Sequence, residues 1–411
     1  MEKKKRILIL TSDAGFGHRS AANAMAAALE IQYGDQVQIE IVNPLDDKRV
    51  LMMLRDSQSD YDRLVRNAPE LYRLGYDASD TTVTSVIIES AITVMLFEVM
   101  RDLLRKRRPQ VIVSTYPLYQ APLEAVFSVY KAFVPVISVI TDLATIHRLW
   151  FHPGVDGLLV PTEKVRKMAV EAGVAEDKIT ITGIPVHPQI AKEKRPVAEI
   201  RAELGWQPDL MTILAVGSKR VAGLVDVLHI INHFGAPMQL VVACGKDQAL
   251  FADLQKKTWH LPVHLYEYSG DMATMMRAAD LVVCKAGGLI VTESLACGLP
   301  LLLVDVIPGQ ETGNMEYVIE NGAGQMVASP IEALEAICHL TMENGKVLKE
   351  QAANAHRLGR PLAAFKAAEL IWLAAQHEPI PRAQSKRKKL LNLLTSKQTM
   401  WKNDDPRNNE Q

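Results

Sequence analysis

Residues 284–314 read Cys-Lys-Ala-Gly-Gly-Leu-Ile-Val-Thr-Glu-Ser-Leu-Ala-Cys-Gly-Leu-Pro-Leu-Leu-Leu-Val-Asp-Val-Ile-Pro-Gly-Gln-Glu-Thr-Gly-Asn. A strand-length apolar run, Leu281–Cys284, enters two glycines, and a helical pattern follows. Gly287 and Gly288 carry no Cβ, so a ligand can approach the backbone there. The helix after them aims its unpaired N–H groups and positive dipole end at the same gap, which suits a diphosphate. Glu293 falls about one and a half turns further on, where a carboxylate can take both hydroxyls of a ribose. A second apolar run, Leu301–Val304, opens into Pro308–Asn314, where Gln310, Glu311 and Asn314 offer amide and carboxylate groups to sugar hydroxyls. The stretch reads as a pocket for a nucleotide sugar.

The same strand–helix rhythm runs outward from this stretch. Ile7–Thr11, Val37–Val42, Val111–Thr115, Val136–Thr141 and Gly157–Val160 are strand-like in the first half. Thr212–Val216, Gln239–Ala243, Val263–Tyr266, Leu281–Cys284 and Leu301–Val304 repeat it in the second. Continuous apolar strands alternating with helices predict parallel sheets covered on both faces. The chain of 411 residues exceeds what a single core usually holds. The Pro-, Lys- and Glu-rich segment 183–208 marks the boundary. The predicted fold class is α/β, with two doubly wound, Rossmann-like domains facing across a cleft. The first spans 1–190 and the second 200–360. A helix over 361–378 can cross back to the first domain, and 381–411 form a basic tail. Ligands of such sheets sit outside the carboxyl ends of the strands.

Composition narrows the function. A formal net charge of -1 argues against a nucleic-acid partner. Cys244, Cys284, Cys297 and Cys338 show no paired metal spacing and read as small buried residues in a reducing compartment. Ile7–Leu10 is too short for a signal-peptide core. Val86–Met100 is interrupted by Glu89 and Glu98, so it does not read as a span. The expectation is a cytoplasmic chain with a membrane-facing surface. Thr82–Leu104 carries apolar residues at helical spacing before Arg101, Arg105, Lys106, Arg107 and Arg108; core packing and membrane contact both fit it. The tail, with Lys386–Lys389 and then several leucines, reads as a solvated terminus or as a segment touching an anionic membrane surface. Asp60-Tyr61-Asp62 lies in a polar helical context rather than at a strand end, and no metal is assigned to it.

The second informative element is Thr11–Ala22, with Gly15, Gly17 and then His18 in the first turn of an alanine-rich helix. The helix dipole disfavours imidazolium there, so the ring stays neutral and can accept a proton from an acceptor hydroxyl. A histidine making only a structural hydrogen bond is the plainer alternative. Ser20 stands where a dinucleotide fingerprint needs its third glycine, which argues against NAD.

These residues resemble the diacylglycerol glycosyltransferases, which include monogalactosyldiacylglycerol synthases and processive glucosyl enzymes and are relatives of the peptidoglycan N-acetylglucosaminyl transferase. The resemblance covers most of residues 6–325. It is carried by Asp13–Ala22, Ser114–Leu118, Thr141-Asp142-Leu143 with His147 and Trp150–His152, Gly183–Val186, and the block from Lys285 to Asn314. It implies a two-domain GT-B enzyme that moves a hexose from UDP-galactose or UDP-glucose to diacylglycerol or a related lipid, with inversion and with no metal or other cofactor. By carry-over, Lys285, Gly287 and Gly288 contact the diphosphate with Gly17 opposite, and Glu293 contacts the ribose. Gln310, Glu311 and Asn314 read the sugar. His18 is the base candidate, with Asp142 as alternative or supporting partner, and Trp150 and Phe151 can line the acceptor groove or serve as core aromatics. The family's second glycine-rich donor loop falls at Ala215–Gly223, which places Gly217 and Lys219 at the donor; Gly217 and Gly223 remain, but Lys219 and Arg220 replace small residues, two cations that fit stronger diphosphate binding, a different donor or a lost activity. Transfer to another acceptor, 2-epimerisation of a nucleotide sugar, and non-catalytic binding stay open.

Overall fold

The structure is a computed structural model that describes residues 4–13, 16–51, 80, 82–130, 133–218, 221, 223–309 and 311–376. The first sheet holds β1 (Lys5–Leu10), β2 (Val37–Val42), β3 (Val111–Ser114), β4 (Val136–Val139), β5 (Gly157–Val160) and β6 (Ile179–Ile181) in the order β2-β1-β3-β4-β5-β6. The second holds β7 (Met211–Val216), β8 (Met238–Ala243), β9 (Val263–Tyr266), β10 (Leu281–Lys285), β11 (Leu301–Asp305) and β12 (Gly324–Met326) in the order β12-β11-β10-β7-β8-β9. Every pairing in both sheets is parallel. The central strands are buried on both faces, as their unbroken apolar runs require.

Two edge strands, β6 and β12, have no counterpart in the sequence reading. Each has three residues, and all three in β6 and two in β12 retain solvent exposure. Neither contains an apolar run, so only pairing with β5 and β11 defines them.

Each sheet reverses its strand order once, at β1/β3 and at β7/β10. A crevice opens at such a reversal because the flanking connections leave on opposite faces. Helix α1 (Phe16–Tyr33) follows β1. Helix α3 (Gly288–Ala296) follows β10, and helix α4 (Thr312–Glu320) follows β11. Helix α2 (Thr82–Arg107) lies between β2 and β3. It buries Ile92, Leu96, Val99 and Met100 in the first core and leaves Val86, Ile87 and Val94 exposed.

Helix α5 (Ala363–Gln376) packs on the first sheet, not the second. Its Ala364, Ala367, Ala368, Ile371 and Ala375 join Ile7, Ile9, Met25, Ala28, Val111 and Val113 in one cluster. Four alanines keep that face shallow, so its backbone comes close to α1, and Trp372 stacks on Tyr33 at 4.4 Å. In the opposite direction, Leu143 of the first half is buried among Leu295, Val291 and Ile184 of the second core. Among the described residues no helix is long and apolar enough to cross a membrane. Asp60–Asp62 and the tail 381–411 lie outside the described residues.

Candidate active site

The two crevices face each other through the loop after β4. A Cβ built on Gly288 would lie 3.2 Å from the Thr141 carbonyl oxygen and 3.7 Å from Asn314 Nδ2. The start of α3 therefore sits against the first half's Thr141–Ile146 loop.

On the first-half side, His18 lies in the opening turn of α1, which carries no acidic residue. Its Nδ1 is 2.8 Å from the Thr141 hydroxyl, and the ring also hydrogen-bonds the Thr115 backbone. Tyr116 meets it edge-on at 5.1 Å and Trp150 at 6.0 Å. Burial among these groups lowers its pKa to about 4, so the imidazole is neutral at physiological pH.

Asp142 adjoins this cluster. Burial pushes its carboxyl up to about 6, against the Trp150 indole N–H, which donates to Oδ2 at 3.2 Å; the nearby Glu311 charge pushes it further up. Trp150 is 1% exposed and Phe151 8%, both within the first core. Of the two readings given for them, acceptor groove and core aromatics, this burial fits the second. Trp150 instead holds Asp142 from below, because a buried indole N–H needs an acceptor and the carboxylate supplies it.

On the second-half side, α3 begins at Gly288 with no side-chain cap and no acidic residue in its first turn. Its leading N–H groups and positive dipole end stay available to an anion. Glu293 has a partly open surface, yet protein surrounds its carboxyl, and burial raises its pKa to about 7. No described residue hydrogen-bonds that carboxyl. Asn314 is 2% exposed; its Nδ2 donates to the Ala286 carbonyl at 3.0 Å, and its buried Oδ1 has no partner. A buried acceptor without a donor, such as Asn314 Oδ1, costs free energy unless a ligand brings a hydroxyl or N–H group.

Two expectations change at this end. Glu311 is committed elsewhere: its carboxylate pairs with the Lys285 ammonium and accepts the Ile307 N–H at 3.0 Å. It is 6% exposed, so as placed it braces the loop and does not present a free carboxylate to a sugar. Gly217 serves packing, since a Cβ there would lie 2.8 Å from Leu250 Cδ2 and 3.0 Å from Leu224 Cδ2. Gly17 has nothing within 4 Å of such a Cβ and faces open space, whereas a Cβ on Gly287 would make ordinary contacts with Glu311, Lys285 and Ile290. Lys219, Arg220 and Gln310 lie outside the described residues.

A brace under the first loop escaped sequence reasoning. Arg19 grips Asp13 with two bonds of 2.8 Å, Asn43 Nδ2 donates to Asp13 at 3.2 Å, and the Tyr119 hydroxyl lies 2.9 Å from the Thr11 carbonyl. The six-residue spacing of Asp13 and Arg19 was the only local signal. Among the described residues, no group of three or more His, Cys, Asp or Glu could hold a metal ion.

The chain resembles known proteins in both halves. Residues 18–186 match the family model described as monogalactosyldiacylglycerol (MGDG) synthase, and residues 213–366 match the glycosyltransferase family 28 C-terminal domain. A probable monogalactosyldiacylglycerol synthase, chloroplastic, of Glycine max is 35% identical over 378 residues, covering 89% of this chain and 70% of that protein. Monogalactosyldiacylglycerol synthase 3, chloroplastic, of Arabidopsis thaliana is 32% identical over 392 residues, covering 92% and 84%. Among solved structures, MurG of Acinetobacter baumannii superimposes with a TM-score of 0.59 at 14% identity, covering 90% of this chain and all of that one. A UDP-GlcNAc 2-epimerase from Neisseria meningitidis, bound to UDP-GlcNAc, gives 0.58 at 14%, covering 90% and 99%. At such identities the structural likeness speaks to fold alone, which is GT-B.

Proposed function

The chain belongs to the monogalactosyldiacylglycerol synthase family of glycosyltransferases, and from that premise we propose that it moves a galactose or glucose from a uridine diphosphate sugar to the free hydroxyl of a diacylglycerol-type lipid, with inversion. The observation that carries the reading is the buried, unpartnered Asn314 Oδ1 beside the uncapped start of α3, with Glu293 further along that helix and no described hydrogen-bond partner for its carboxyl. A diphosphate fits the N–H groups and Lys285, a ribose fits the Glu293 carboxylate, and a sugar hydroxyl fits Asn314.

In the proposed reaction the neutral His18 imidazole takes the proton of the lipid hydroxyl. The alkoxide oxygen bonds the anomeric carbon from the face opposite the diphosphate. The bond from that carbon to the diphosphate oxygen breaks, and the electron pair leaves on uridine diphosphate. The α3 dipole and Lys285 stabilise that leaving charge. Asp142, pushed up to about 6, is ionised at neutral pH and can steady the imidazolium that forms. Membrane contact and a cytoplasmic location belong to the same proposal. The exposed Ile87 and Val94 on α2, with basic residues in its last turn, support an anionic membrane surface as the source of acceptor.

The test is incubation with liposomes containing diacylglycerol and radiolabelled UDP-galactose or UDP-glucose. Labelled glycolipid from one donor is the expected result. Glycolipid from neither would remove the lipid-transferase reading, and uridine diphosphate released without an acceptor-linked product would favour epimerase-type or hydrolytic chemistry.

A further inference from the structure

Gly313 is the second residue of α4, and its φ lies outside the left-handed region, so any residue can adopt its backbone. Glycine in a helix costs up to about 1 kcal/mol against alanine. The space explains it. A Cβ on Gly313 would overlap the Thr145 hydroxyl outright and lie 2.9 Å from the Thr145 backbone nitrogen and 3.1 Å from its Cβ. Thr145 belongs to the first half and Gly313 to the second. The same loop carries Thr141, the hydrogen-bond partner of His18, and Asp142. It also carries Leu143, which is buried in the second core.

We propose that Thr145 and Gly313 form a positioning contact that sets the width of the cleft. Thr145 seated on Gly313 brings the backbone of the Thr141–Ile146 loop down onto the start of α3. Asp142 lies on that loop, and His18 on α1 is tied to it through the Thr141 hydroxyl, so the contact fixes how far the base stands from α3 and how it is held there. Neither residue needs to touch substrate. The proposal rests on the transferase reading for its kinetic readout but not for its structural one.

Gly313→Ala adds one methyl group to this contact and forces the loop outward. The expected result is a fall in kcat of about tenfold or more, because a small misplacement of reacting groups carries that cost. The affinity for uridine diphosphate, held by the second half, should stay within about threefold of the parent protein's. Amide exchange of residues 141–146, followed by mass spectrometry without any substrate, should speed up in step. Thr145→Gly combined with Gly313→Ala removes the hydroxyl and Cβ that the methyl group meets but not the backbone nitrogen, and should recover part of the lost turnover and loop protection. Thr145→Leu loads the contact from the loop side and should reproduce the kcat loss in a protein whose α4 is untouched. Parent-like kcat and exchange in Gly313→Ala would overturn the proposal, as would a double variant no better than the single one. Should the protein make no glycolipid at all, the exchange data still decide the contact, so the two failures are distinguishable.

Discussion

Replacing Glu293 by glutamine tests the donor site through stability and binding together. Burial raises the Glu293 carboxyl from 4.5 to about 7. At about 1.4 kcal/mol per pH unit, that interval corresponds to about 3 kcal/mol of native-state penalty once the group is ionised. In the unfolded chain Glu293 loses its proton near 4.5; in the native chain it holds on until about 7. Between those values the native state binds more protons than the unfolded one, so this group's contribution to stability declines as pH rises. Below 4.5 the penalty is absent, and above 7 it is complete. Glutamine has the same shape and cannot ionise. Glu293→Gln is therefore expected to match the parent protein near pH 4.5 and to exceed it by up to about 3 kcal/mol at pH 8 in urea denaturation. Uridine diphosphate binding should move the other way. Parent affinity should weaken as pH falls through about 7, since only the carboxylate accepts both ribose hydroxyls. The variant should bind more weakly with no such step. A stability difference that is the same at pH 4.5 and pH 8 would refute the reasoning, because it would place the carboxyl in water.

Other perturbations report on the remaining parts. His18→Ala should lower turnover by about a hundredfold or more and leave uridine diphosphate affinity by calorimetry nearly unchanged. In the pH–rate profile, the acid limb of kcat should fall near 6, where Asp142 titrates; Asp142→Asn should move it toward about 4, the value of His18. Trp150→Phe removes the N–H that favours the Asp142 carboxylate and should move that limb above 6. Lys285→Met strands the buried Glu311 carboxylate and should cost about 3–5 kcal/mol by denaturant titration, much of it recovered when Glu311→Gln is added.

The sequence made the architecture readable because parallel strands buried on both faces must be apolar throughout, and ten of the runs that form them stand out between helical patterns. The edges did not stand out: β6 and β12 exist only because a longer strand beside each offers a ladder. Around the site, residue types predicted placement where local chain geometry suffices. His18 in a first turn and Gly287 before an uncapped helix are examples. Local reading failed where a partner lies far along the chain. Lys285 and Glu311 are 26 positions apart, and their pairing takes Glu311 out of the set of free carboxylates. Trp150 and Phe151 adjoin the site in sequence, but the turn at 148–150 sends both rings into the core. Gly313 reads as part of a polar loop, and only the approach of Thr145 from 168 residues earlier explains its missing side chain.

The crossing of α5 has a consequence for the order of assembly. The first sheet is synthesised early, yet one of its covering faces is supplied by residues 363–376. Until the ribosome has delivered that segment, Ile7, Val111 and Val113 lack a lid. The half that leaves the ribosome first is thus the half finished last. A chain arrested after the second lobe would hold a complete second core beside a sticky, half-covered partner, a target for chaperones rather than a working fragment.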